Sequence, residues 1–275
     1  SFCRPPPEVA MFDHLFLKSL RDRRRGLIGW ISGIVGLVAI QMAVYPTVRD
    51  SASDWGQATE SFPEVMKEMF RITDYTSETG YLSTELLSFM VPFIFMGLGA
   101  SWGSRLVAED EEARTADVLF ALPMSRHSVL FTRASAAISA LLMAATAFVM
   151  SMMIGARLLD MSIPLEHFIN AGLMVLEVGI VAFSLAALVS TSSGHRGLGI
   201  GVAMGATIAL FIVYSLAPLV DFFDDIAPFN PMQWTLGSDP LVEGLHFDSL
   251  GYVIAWVAIG LLIAAYRLDR RDIAG

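Results

Sequence analysis

The chain has 275 residues, 55% of them hydrophobic and only 16% charged, with a mean hydropathy of +0.59; soluble domains carry about a quarter of their residues charged, so an ordinary soluble enzyme is excluded and lipid is the expected solvent. The formal net charge of −9 describes an acidic protein only when averaged, and in a membrane protein charge is read loop by loop. Cys3 is the single cysteine, which excludes an intrachain disulfide and a Cys-built metal site.

In chain order, residues 1–10 (SFCRPPPEVA) hold three consecutive prolines without periodicity and read as a flexible leader, with Met11 as a candidate start and 11–275 as one transmembrane domain. Phe12, Leu15, Phe16 and Leu20 then recur at helical spacing against Lys18, Arg21, Asp22 and Arg25. That pattern predicts an interfacial elbow helix, the alternative being a plain extension of the first span. A bilayer core needs roughly 20 apolar residues in helix. Six runs qualify: 26–46, 82–103, 129–154, 168–190, 198–220 and 250–266, and the predicted fold is all-α and polytopic. The first run follows RDRRR, yet it is too long for a signal peptide and lacks a small-x-small cleavage site, so it is expected to stay as an anchor.

Between spans one and two, Val65, Met66, Met69, Phe70 and Ile72 predict a short amphipathic helix. Pro92 should kink the second span by removing a backbone hydrogen bond. The pairs Gly29/Gly33, Gly99/Gly103 and Gly201/Gly205 have the spacing that lets helices approach closely, and they are expected to be packing sites, one of them serving a dimer contact in an alternative reading. Residues 221–248 contain Pro228, Pro231, Trp234 and Pro240. This segment is too short to span and too apolar for a free loop, so a re-entrant or interfacial element is expected, with Trp234 at headgroup depth.

Arginine and lysine set the orientation. Lys18, Arg21, Arg23, Arg24, Arg25, Arg105, Arg114, Arg126, Arg133, Arg196, Arg267, Arg270 and Arg271 fall on one side, against only Arg49, Lys67, Arg71 and Arg157 on the other. Both termini are therefore expected in the cytoplasm, and the opposite face is acidic.

The loop between spans two and three, from Glu109 to Arg133, reads EDEEARTADVLFALPMSRHSVLFTR. Its acidic residues complement the N-terminal dipole of a short helix predicted over 115–122, with Val118, Leu119 and Leu122 as the apolar face. Pro123 ends that helix, and Ser125 is placed to cap the next one. The loop resembles that of ABC-type-2 permeases, which have an acidic cluster, a Thr, an acid two residues on, a Leu-rich turn, then Pro, Ser and Arg before a basic residue at the third span. Here those positions are Glu112, Thr115, Asp117, Leu119, Pro123, Ser125, Arg126 and Arg133. Arg114 stands where that family usually has Gly, which bears on the shape of the helix start. Joined to six spans and an elbow helix, the resemblance covers the chain from Met11. It implies the membrane-spanning subunit of an ATP-driven exporter in the inner or plasma membrane, with two such permeases, identical or related, on two ATP-binding subunits. The loop helix would be the coupling helix, Val118, Leu119 and Leu122 entering a groove on the ATPase while Asp117 and Arg126 pair at its rim.

The only lysines, Lys18 and Lys67, lie outside any G-x-x-x-x-G-K-[ST] motif, so the chain is not expected to act as an enzyme or hold a cofactor; ATP and Mg²⁺ would bind the partner. Membrane lipid is the other expected partner, and nucleic acid is not expected. Glu177 is the acid deepest in a predicted span. It reads either as part of a translocation path or as a hydrogen-bonded tie between helices. Two alternatives fit less well. Glu109, Asp110 and Arg114 form E-D-x-x-x-R, near a signature of intramembrane CAAX-type proteases, but His14, His127, His167, His195 and His246 all fall at span ends or in loops, away from any inward-facing metal site. A stand-alone secondary transporter would show intramembrane ionisable pairs or broken repeats.

Overall fold

The structure, a computed structural model, describes residues 7–51, 63, 66, 77–117, 124–242 and 247–271. Its elements are α1 (Pro7–Asp22), α2 (Arg24–Asp50), α3 (Glu78–Leu82) running into a π-helical turn (Ser83–Leu87), α4 (Met90–Gly103), α5 (Ala108–Glu112), α6 (Arg126–Leu158), α7 (Leu165–Ser193), α8 (Arg196–Leu216), α9 (Asp221–Ile226), α10 (Pro231–Leu236) and α11 (Phe247–Arg270). Among the described residues, six helical stretches are long and apolar enough to cross a membrane: Arg24–Asp50, Glu78–Gly103, Arg126–Leu158, Leu165–Ser193, Arg196–Leu219 and Ser249–Arg270. Each contains or closely overlaps a predicted run, because length and apolarity are local properties of the chain. The predicted helix with Val65, Met69, Phe70 and Ile72 lies outside the described residues.

Helix α1 spans Pro7–Asp22. The chain breaks at Arg23 (φ −104°, ψ 6°), and α1 folds onto α6, Leu15 burying against Val129 and Met124. The elbow is thus a separate helix, not an extension of α2.

Helix α7 is the centre of the bundle, with α4, α11, α8 and α6 around it. Its contact with α4 is backbone on backbone. A Cβ on Gly99 would collide with the Gly179 carbonyl, and one on Gly103 with the Phe183 carbonyl. Only this glycine pair of the three packs inside the protomer. Side-chain positions at Gly29, Gly33, Gly201 and Gly205 meet no atom within 4 Å, because α2 and α8 are peripheral and turn these faces outward.

The second span is distorted, one turn before Pro92. The Ser88 amide bonds the Ser83 carbonyl in a π-type turn, and its hydroxyl donates to the same oxygen at 3.0 Å. Proline has no N–H for the Ser88 carbonyl and crowds it, so the helix breaks at Phe89 (φ −155°) and restarts at Met90. Beyond α8, the chain turns through α9 and packs α10 against α7, α8 and α11. The Asn230 side chain donates to the Leu210 carbonyl at 2.8 Å and Tyr214 donates to the Leu236 carbonyl at 2.8 Å. Residues 230–241 accordingly pack against the bundle, Pro231, Met232, Thr235 and Leu236 being buried, while α9 buries none of its residues. Trp234 packs beside Tyr252 and Trp256.

Candidate functional site

The four consecutive acids Glu109, Asp110, Glu111 and Glu112 form a single turn of helix, α5, at the end of the bundle where Arg23, Arg105, Arg133, Arg196 and Arg271 converge. A turn points successive side chains in different directions, about 100° apart, and here each acid reaches a different span. Glu109 accepts from Arg23 at the head of α2, at 2.5 Å, and lies 3.7 Å from Arg105. Asp110 pairs with Arg133 of α6. Glu111 pairs with Arg271 behind α11, whose Nη1 also donates to the Thr191 carbonyl at 2.8 Å. Glu112 accepts the backbone N–H of Arg196 at 2.7 Å, an acid capping the N-terminus of α8 from a distant loop. One turn thus clasps the ends of spans one, three, five and six.

Burial conditions the arginines. The Arg23 side chain is 12% exposed, and desolvation pulls its guanidinium below the ordinary value, with Glu109 opposing. Arg105 is lowered as well, by burial and by the charge of Arg196. Arg23 also donates to the Arg105 carbonyl at 3.1 Å and sits 5.3 Å above the Trp102 ring. Gly194, at the end of α7, has φ +73°, and a Cβ there would strike both Arg271 and Glu111. The position needs glycine for conformation and for clearance.

The segment emerging from the clasp holds the sequence-derived site. Thr115 returns its amide and hydroxyl to the Asp110 carbonyl, at 2.8 and 3.4 Å. Ala116 is buried and Asp117 is exposed. Val118, Leu119, Leu122 and Pro123 lie outside the described residues. Ser125 caps α6, its Oγ accepting from the Ser128 amide at 3.1 Å. Arg126 points back into the chain and donates to the Leu268 and Arg271 carbonyls at 3.1 and 3.2 Å, closing the C-terminus of α11. Beside it His127 lies 2.8 Å from Asp269. Arg114 adopts φ +56°, a left-handed conformation in which glycine costs nothing, which gives the departure at this position a physical meaning.

The chain matches the ABC-2 family transporter proteins over residues 14–273. It belongs to that family. A search of curated proteins finds no match. As an ABC-2 permease it is a multi-pass membrane protein and a transport subunit, and the family as a whole works with an ATP-binding ABC partner. The protease signature dissolves in this permease, since Glu109 and Asp110 are both committed to arginines.

Glu177 lies between α7 and α11, 4% exposed, and accepts from the Ser249 hydroxyl at 3.4 Å. Sequence reasoning passed over a second carboxylate, Glu85, on the π-helical turn. Gln41 Nε2 donates to Glu85 at 3.2 Å, and Tyr81 donates to Gln41 at 3.1 Å. Next to it Ser83 donates to Asp239 at 2.9 Å. The signal was present, an acid four residues into a predicted span, but its position near the end of that run masked it.

Proposed function

We propose that this permease exports its substrate, driven by ATP hydrolysed on a separate ATP-binding subunit, with two permeases standing over two ATPases and both termini in the cytoplasm. ATP and Mg²⁺ belong to the partner, and the contact runs through residues 112–126. Val118, Leu119 and Leu122 enter a groove on the ATPase while Asp117, exposed at the rim, sets register. Glu112, Thr115 and Arg126 anchor the two ends of the segment to the bundle, and Pro123 separates it from α6. Glu177 belongs to the path or to the helix pair that reshapes it.

The observation that carries this reading is the clasp. An ATPase moves a permease only through a contact that differs between its nucleotide states. Displacing residues 115–125 drags α5, and through its four carboxylates the ends of four spans. A second copy of the chain is supported by α8, where the open positions Gly197, Gly201 and Gly205 share one outward face. Leu119→Asp buries an unpaired charge in the proposed contact. The variant should insert normally yet lose co-purification of the ATPase, or lose coupling of its hydrolysis to substrate; unchanged pull-down and unchanged substrate-stimulated hydrolysis would remove the mechanical basis of the proposal.

A further inference from the structure

Between the elbow helix and the clasp lies a cavity of about 440 Å³ enclosed by α1, the head of α2, the end of α4, α5 and Arg133 of α6. Its charged lining is Lys18, Arg23, Arg105 and Arg133 against Asp22, Glu109 and Asp110, one positive charge in excess. The internal pairing explains the excess: Glu109 is shared by Arg23 and Arg105, while Asp110 is taken up by Arg133. Lys18 has no carboxylate partner among the described residues. Trp30 and Trp102 complete the lining, Trp102 lying beneath Arg23, so the cavity combines cationic and aromatic groups.

Its place in the fold adds a third property. It opens where an amphipathic helix meets the head of a span, the depth at which lipid headgroups sit. Gly26 lines it, and the same face of α2 continues as Gly29 and Gly33, where a side-chain position meets no protein atom within 4 Å. That leaves a strip of open surface running from the cavity down the span.

We propose that this cavity binds the headgroup of a singly charged anionic phospholipid, its phosphodiester beside Lys18 and Arg105, its glycerol region against Trp30, and an acyl chain along the glycine face of α2. A phosphodiester carries the one negative charge the lining lacks, and basic pockets between spans at the cytoplasmic surface are a recurring mode of anionic lipid recognition. The lipid then touches both the elbow and the clasp, coupling bilayer composition to the residues that tie α5 to α2.

The test uses the purified full chain in detergent, with phosphatidylglycerol, phosphatidylcholine and inorganic phosphate as separate probes, read by native mass spectrometry and by thermal unfolding. Phosphatidylglycerol should be retained and stabilising where phosphatidylcholine is not. Lys18→Gln should weaken it about fivefold, the expected share of one basic residue at a charged membrane surface. Trp30→Ala should weaken it without changing charge, and Arg24→Gln, outside the cavity, should leave it within about twofold. Equal retention of the two lipids would overturn the proposal. So would an Arg24→Gln loss as large as that of Lys18→Gln, which would mean a diffuse surface field, or competition by inorganic phosphate at equal concentration, which would mean a soluble-anion site.

Discussion

Removing either partner of the Glu111–Arg271 pair is the sharpest perturbation of the clasp. Glu111 is 8% exposed and Arg271 23%, so both are screened far less than a surface pair. Two unit charges roughly 4 Å apart at an effective dielectric near 20 attract by about 4 kcal/mol, an upper bound before desolvation. Breaking a buried pair from one side costs about 3–5 kcal/mol, mostly by stranding the other charge. The two sides are unequal here. After Glu111→Gln, Arg271 keeps the Thr191 carbonyl and partial contact with water, so the loss should be about 2 kcal/mol. After Arg271→Gln, Glu111 is stranded with one oxygen, Oε1, already buried without a partner, and the loss should be about 3 kcal/mol. The double variant should cost about 1–2 kcal/mol less than the sum. Equilibrium unfolding in mixed micelles gives all four corners of the cycle, and substrate-stimulated ATPase activity in the reconstituted complex reads the functional side. Additivity within about 0.5 kcal/mol, or an Arg271→Gln variant no less stable than Glu111→Gln, would refute the reasoning.

Gly99→Ala should destabilise the permease by about 3 kcal/mol, the upper range for overpacking, because its Cβ meets the Gly179 backbone and no side chain can yield; Gly201→Ala, on an open face, should leave protomer unfolding unchanged and instead weaken a dimer measured by light scattering. Glu177→Gln keeps the shape of the side chain and should impair transport in vesicles more than it impairs assembly; normal transport would leave Glu177 a structural tie. In a Cys3→Ser background, a cysteine at Ser193 should resist impermeant labelling from outside intact cells and react after permeabilisation; labelling from outside would reverse the proposed orientation.

The six spans were legible in the sequence because the bilayer imposes a length and an apolarity on each helix separately, and both are properties of consecutive residues. The cap at Ser125 and the break near Pro92 followed from equally local chemistry. Pairing across the bundle was not local. Three glycine pairs with identical spacing met different fates: Gly99/Gly103 is sealed against α7, while Gly29/Gly33 and Gly201/Gly205 face outward, since spacing records a smooth surface and not which helix lies upon it. Arg126 read as a rim charge pairing with the ATPase, whereas it donates to the Leu268 and Arg271 carbonyls, because α11 arrives from more than a hundred residues away. The run Glu109 to Glu112 read only as acids complementing the N-terminal dipole of the helix predicted over 115–122. Its role as a clasp depends on the guanidinium groups of Arg23, Arg133 and Arg271 and on the Arg196 amide, which the chain brings to one end only after the spans have packed, because charges pair through space and a half-buried charge left unpaired is expensive.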